Sequence, residues 1–165
     1  MMSPEKQALC SIISRTLSLE DGMSKSVLAF MVAFDQLPRN RQERISAADF
    51  ELASKLIQEE IREMFDGFNK LEVSQSMENL VEFVDGAVDT IYVILWTLLK
   101  FNVPVDALFA EVQRSNMAKL NADGTYTKNE HGKVKKPDTW TAPDLLGILV
   151  SHFDEAVWQG NMRRG

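Results

Sequence analysis

Proline and glycine are sparse in this chain, at 5 and 8 of 165 residues. So few turn formers argue against a turn-rich all-β fold and favour long helices. Cys10 is the single cysteine, so no disulfide can form within the chain. Such a thiol fits a small apolar residue in a first helix and a reducing cytoplasm. Histidine is limited to His131 and His152. No Cys/His set has zinc spacing, and nothing supports a nucleophilic triad. The G-x-x-x-x-G-K-[ST] and G-x-G-x-x-G patterns that cradle phosphates are also missing. The opening MMSPEKQALCSIIS has no basic region followed by a long apolar one, so no signal peptide is expected. The most apolar run, Val88 to Leu99, holds twelve residues, against roughly 20 for a helix that spans a bilayer. A buried core helix, with no membrane partner, is the expectation.

What is present is ordinary in amount and unusual in placement. Hydrophobic residues make up 45% and charged residues 25%, enough for a single domain over residues 1–165 with a real core. The formal charge is −6, which disfavours binding to a nucleic acid polymer. Ser3 and Pro4 read as the N-cap and first residue of an opening helix. A second helix is expected from Ser24 to about Phe34, followed by the polar connection LPRNRQER. S-A-A-D at Ser46 reads as a capping box for a helix from Ala47 to about Phe68. Its apolar positions Phe50, Ala53, Ile57, Ile61, Met64 and Phe68 recur at threes and fours. Another helix should run from Met77 to Phe101, apolar around much of its circumference and therefore central in a bundle. NVP ends it, and Pro104 opens a helix to about Leu120. Asn121 to Trp140 is expected to form a small hairpin or ordered loop, and Pro143 to open a last helix ending near Gly160. The whole reads as an all-α helical bundle with a central antiparallel helix pair.

Acidic residues are concentrated on that pair. Glu59, Glu60 and Glu63 fall within an arc of about 100° on one helix. Glu82, Asp85 and Asp89 follow at spacings of three and four on the next, within about 60°. Asp85 and Asp89 sit among Phe83, Val84, Val88, Ile91 and Tyr92, which suggests that they are buried. Two helices joined by a short turn pack antiparallel, so the acid faces can confront each other. Four to six carboxylates together repel unless cations occupy them, and their hard oxygens suit Mg²⁺ or Mn²⁺. For E-E-I-R-E alone, a solvated helix face with i,i+4 pairs is the favoured explanation.

E-E-x-x-E, then an acidic motif ahead of an apolar I-Y-V-I, resembles the MazG-like all-α nucleoside triphosphate pyrophosphohydrolases. That superfamily includes dimeric dUTPases and phosphoribosyl-ATP pyrophosphohydrolase. The likeness runs from about Phe30 to Leu149, and residues 1–23 look like an added N-terminal helix. Glu59, Glu60 and Glu63 match the first family motif in full. The second, E-x-x-D, is met only at Asp89, because Gly86 stands where a glutamate is usual. Asp85 is the favoured replacement ligand, with Glu82 as a peripheral one. Asn116 and Lys119, then Gly132, Lys133, Lys136 and Pro137, resemble an N-x-x-K and G-K-x-x-K-P tail.

The resemblance implies hydrolysis of a nucleoside triphosphate to its monophosphate and pyrophosphate. Glu59, Glu60, Glu63, Glu82, Asp85 and Asp89 would be the metal ligands, and Glu59 or Glu60 would orient or deprotonate the attacking water. Lys119, Lys133 and Lys136 would stabilise phosphate charge, with Asn116 and Tyr92 also on the substrate. Phe34, Gln36 and Trp96 are further candidates for a base pocket. A cytoplasmic homodimer or homotetramer is implied. Phosphoribosyl-ATP is an alternative substrate, and a non-catalytic helical interaction protein is an alternative class.

Overall fold

The computed structural model describes residues 2–17, 19, 22–40 and 43–153. Within them the chain forms six α-helices and no strand. Helix α1 (Pro4–Thr16) starts as its sequence suggests, with the Ser3 side chain accepting from the Lys6 amide and proline in the first turn. Helix α2 (Met23–Ala33) follows. Helix α3 (Ala47–Val73) has the expected capping box. Ser46 Oγ accepts from the Asp49 amide at 3.1 Å and donates to Asp49 Oδ2 at 2.6 Å. The helix runs past Phe68 because Leu71 continues its half-buried stripe, and it stops at Ser74. Ser76 caps helix α4 (Met77–Lys100), and Asn79 Nδ2 ties the turn by donating to Ser74 O at 2.8 Å.

Helix α5 (Val105–Met117) ends a turn before Leu120. Helix α6 (Leu145–His152) begins after Asp144, whose side chain accepts from the Gly147 amide. The further stretch expected to reach Gly160 lies outside the described residues. Between α5 and α6 the expected hairpin reduces to one antiparallel bridge, Lys128 with Val134. Asn129 Oδ1 closes its turn by accepting from the His131 and Lys133 amides. The segment is docked on α5, where Trp140 Nε1 donates to Ser115 O at 2.8 Å and Ser115 Oγ donates to Thr141 O at 3.0 Å. The two histidines are ordinary: His152 meets Asn102 O at 2.8 Å, and His131 is an exposed turn residue.

The core lies at one end of the bundle. Leu17, Leu28, Met31, Val32 and Leu99 are almost wholly buried, joined by Ala53, Trp96 and Val105. Cys10 packs against this cluster as a small apolar residue. Helix α4 packs on α2, α3 and α5, so it is central there. Its apolar character around much of its circumference predicts that central place, yet part of the apolar surface is not covered. Val81, Val84, Val88 and Ile91 are exposed in the chain as it stands.

A strap joins the end of α2 to the end of α4. Asp35 takes a left-handed conformation, φ 57°, and its carboxylate pairs with Lys6 at 2.9 Å. Beyond it, the Arg39 amide donates to Lys100 O at 3.0 Å, and Asn102 Nδ2 donates to Arg39 O at 2.9 Å. Arg39 also pairs with Asp49 at the start of α3. The same segment therefore touches the ends of three helices.

Candidate functional site on the helix α3 and α4 hairpin

Two glycines set the spacing of this hairpin. A Cβ on Gly67 would meet the Phe83 amide nitrogen at 2.6 Å, and one on Gly86 would meet the Met64 amide nitrogen at 2.6 Å. The helices thus touch backbone to backbone at both places, which only glycine permits. This register puts Glu60 opposite the turn of α4 that carries Asp89.

The consequence is electrostatic. The Glu60 carboxyl is pushed above its ordinary value first by desolvation, then by the charges of Asp89, Glu63, Glu59 and Asp85. Five of the six acids selected from sequence therefore share one electrostatic neighbourhood. Glu82 stands apart, because its carboxylate is engaged by Lys70 of α3. Asp85 and Asp89 are exposed rather than buried. Val84, Val88 and Ile91, beside them in sequence, are themselves exposed in the chain, so they do not bury the two aspartates. Among the described residues, no three His, Cys, Asp or Glu side chains stand close enough to hold a metal ion as they are placed. The donor chemistry still fits a hard divalent cation, since the charges acting on Glu60 are all negative.

Gly86 does not face the acid flank. It faces the α3 backbone, so a glutamate there would collide with Met64 before it could join Asp89. Asp85 lies one turn before Asp89 on the acid flank, where its charge reaches Glu60. The same flank of α4 continues C-terminally to Tyr92 and Trp96 at spacings of three and four.

Aromatic contacts extend this surface to α2. The Phe30 ring lies 4.6 Å from that of Phe34 and 5.8 Å, edge on, from that of Tyr92. Burial raises the Tyr92 hydroxyl above its usual pKa. Trp96 Nε1 donates to Gln36 Oε1 at 2.8 Å. Phe30 and the Gln36–Trp96 bond, like Lys70–Glu82, were beyond sequence reasoning because they join separate elements. The glycine contacts did leave a signal, since Gly67 and Gly86 interrupt otherwise strong helices.

The basic segment forms its own cleft of about 480 Å³, lined by Lys119, Lys133, Lys135 and Lys136 with Asn129 and Val134. Lys119 Nζ donates to Asn116 Oδ1 at 2.7 Å. Lys136 Nζ sits 3.6 Å over the Trp140 ring. The structure thus joins Asn116 to Lys119 and groups Lys119 with Lys133 and Lys136. The groups that shift Glu60 include none of these lysines.

Comparison with known proteins bears on the hairpin and not on the basic segment. No curated protein matches the chain. A family model for phosphoribosyl-ATP pyrophosphohydrolase matches residues 27–116, which take in α3, α4, α2 from Val27 onwards and α5 as far as Asn116. Lys119, Lys133 and Lys136 lie beyond the match. The carboxylate hairpin falls wholly inside it, and the chain belongs to the phosphoribosyl-ATP pyrophosphohydrolase family of hydrolases acting on nucleotide phosphoanhydride bonds.

Proposed function

We propose that the protein hydrolyses ribo- or deoxyribonucleoside triphosphates to the monophosphate and pyrophosphate, with Mg²⁺ as cofactor and Mn²⁺ as a substitute. The observation that carries this reading is the raised Glu60 carboxyl among Asp89, Glu63, Glu59 and Asp85. Such a concentration of negative charge is relieved by a cationic partner, and perturbed carboxyls of this kind cluster at functional sites.

Glu59, Glu60, Glu63, Asp85 and Asp89 would hold the cation, with Glu82 able to join only by leaving Lys70. Rotation of the long glutamate side chains would be needed to close the set. When bound, the metal would offset triphosphate charge and acidify a water. Glu60, with its proton affinity raised, suits the general base that takes a proton from the attacking water, and Glu59 would orient it. Lys119, Lys133 and Lys136 would hold phosphate oxygens as charge-assisted donors, with Asn116 holding Lys119 in place. Tyr92 lies one turn beyond Asp89, suitably placed for sugar or base.

The basic cleft and the acid flank make no direct ion pair within the described residues of one chain. A homodimer or homotetramer in which one subunit offers its lysines to another's carboxylates would complete the site. A cytoplasmic location goes with this reading, since nucleoside triphosphates are the substrates. A second reading, phosphoribosyl-ATP as substrate, is favoured by the family match.

Release of pyrophosphate from a panel of ribo- and deoxyribonucleoside triphosphates and phosphoribosyl-ATP, with Mg²⁺ or Mn²⁺, tests all of this. Turnover of a triphosphate supports the main reading, and turnover of phosphoribosyl-ATP alone supports the second. Cleavage of none would leave a helical interaction protein that kept the fold.

A further inference from the structure

Gln36 is held in one orientation, and that orientation has a chemical meaning. Trp96 is buried, and its indole N–H can only donate. It donates to Gln36 Oε1 at 2.8 Å, so the amide oxygen is committed. The amide nitrogen, with two N–H donors, is the group left to interact outward. Turning the amide over would strand a buried indole donor, which is unfavourable.

The backbone under Gln36 is equally fixed. Its amide donates to Met31 O at 2.8 Å, and Lys100 Nζ donates to Leu37 O at 3.1 Å just beyond it. Gln36 is half-buried, so its side chain is both supported and reachable.

Its position matches the length of a nucleotide. Asp85, Asp89, Tyr92 and Trp96 follow one another on the same flank of α4 at spacings of four, three and four. Trp96 is therefore about 10 Å along the helix from Asp89 at 1.5 Å per residue. That is comparable to the span from a nucleotide's α-phosphorus to the far edge of its base. Between the two on α4 lies Tyr92, with the Phe30 ring against it and the largely exposed Phe34 ring against Phe30. Aromatic faces of this kind stack on any base and do not choose among them. A fixed pair of donors does choose.

We propose that Gln36 determines base specificity by donating to the carbonyl at C4 of a pyrimidine or C6 of a purine, so that uracil, thymine and guanine are preferred over cytosine and adenine, which carry an amino group there. This rests on the triphosphate reading above. The test compares kcat/KM for UTP against CTP and for GTP against ATP, in ribo and deoxy forms, with Mg²⁺. Within each pair the bases differ at one edge, carbonyl against amino group. The wild type should favour the carbonyl member by about tenfold or more, the scale of one well-placed hydrogen bond. Gln36→Glu keeps an acceptor for Trp96 but removes both donors, and should bring the ratio close to one or invert it. Trp96→Phe frees the amide to turn and should shrink the ratio more than it lowers kcat. Equal turnover within the wild-type pairs, or an unchanged ratio in Gln36→Glu, overturns the assignment and leaves the pyrophosphohydrolase reading intact. Failure to cleave any of the nucleotides overturns both.

Discussion

Gly86 lies against the backbone of Met64, where an added Cβ would stand 2.6 Å from the amide nitrogen. In sequence this position looked like a missing ligand. In the fold it is a contact point that lets two helices approach and brings Asp89 towards Glu60. Gly86→Ala should therefore lower stability, although alanine is the better helix former by about 1 kcal/mol. Overpacking of a close contact typically costs about 1–3 kcal/mol, and here the obstacle is backbone that cannot rotate away. Thermal unfolding checks this. Gly86→Glu should be still less stable and should gain no affinity for Mn²⁺, measured by calorimetry.

Much of the architecture was legible because it rests on local signals. Ser46 with Asp49, Ser3 with Pro4, and the three-and-four spacing of apolar residues each belong to one stretch of chain. The acid residues were legible for the same reason. Their exposure was not, because the Val84 and Val88 side chains flank Asp85 in sequence but point elsewhere around the helix. The partners of Glu82 and Gln36 depend on the register between helices, which no single stretch encodes.

Glu60 makes the metal-free protein sensitive to pH in a definite direction. Its folded pKa is raised, so the folded state holds this proton more readily than the unfolded chain. Stability from this group is present at low pH and falls as pH rises from the ordinary 4.5 through the folded value. Glu60→Gln should therefore melt higher than wild type at pH 7 without metal. Mn²⁺ at about a hundredfold excess over its Kd should stabilise the wild type by about 2.7 kcal/mol. The gain should be smaller in Glu60→Gln, and differential scanning calorimetry reads both effects.

Glu111 behaves in the opposite sense. Side-chain hydrogen bonds from Arg114, then the Asp144 amide, lower its carboxyl from 4.5 to about 2. The stability it lends is present above about pH 4.5 and is lost as pH falls towards about 2. Because this carboxylate ties the start of α6 to α5, the effect should be local. Hydrogen exchange at Asp144 should remain protected down to about pH 4.5 and speed up below it. Glu111→Ala should expose that amide at neutral pH and remove the acid transition.

The face of α4 turned away from α3 bears on assembly. Met77, Val81, Val84, Val88 and Ile91 recur at four, three, four and three along α4, the spacing of a helix-packing seam. Phe65 and Phe68 fall on the matching flank of α3. These side chains are exposed in one chain, with Val88 and Phe65 each 55% accessible. Contiguous apolar surface of this kind marks an interaction site. A second copy presenting the same flank would bury both in a four-helix arrangement and leave the acid flanks facing outward. Val84→Glu with Val88→Glu should convert the assembly to monomers in analytical ultracentrifugation, while circular dichroism retains the helical signal. If lysines from one subunit serve another's carboxylates, the monomer should also lose triphosphate turnover. Mixing Asp89→Ala subunits with Lys133→Ala, Lys136→Ala subunits should then restore part of the activity that each lacks alone.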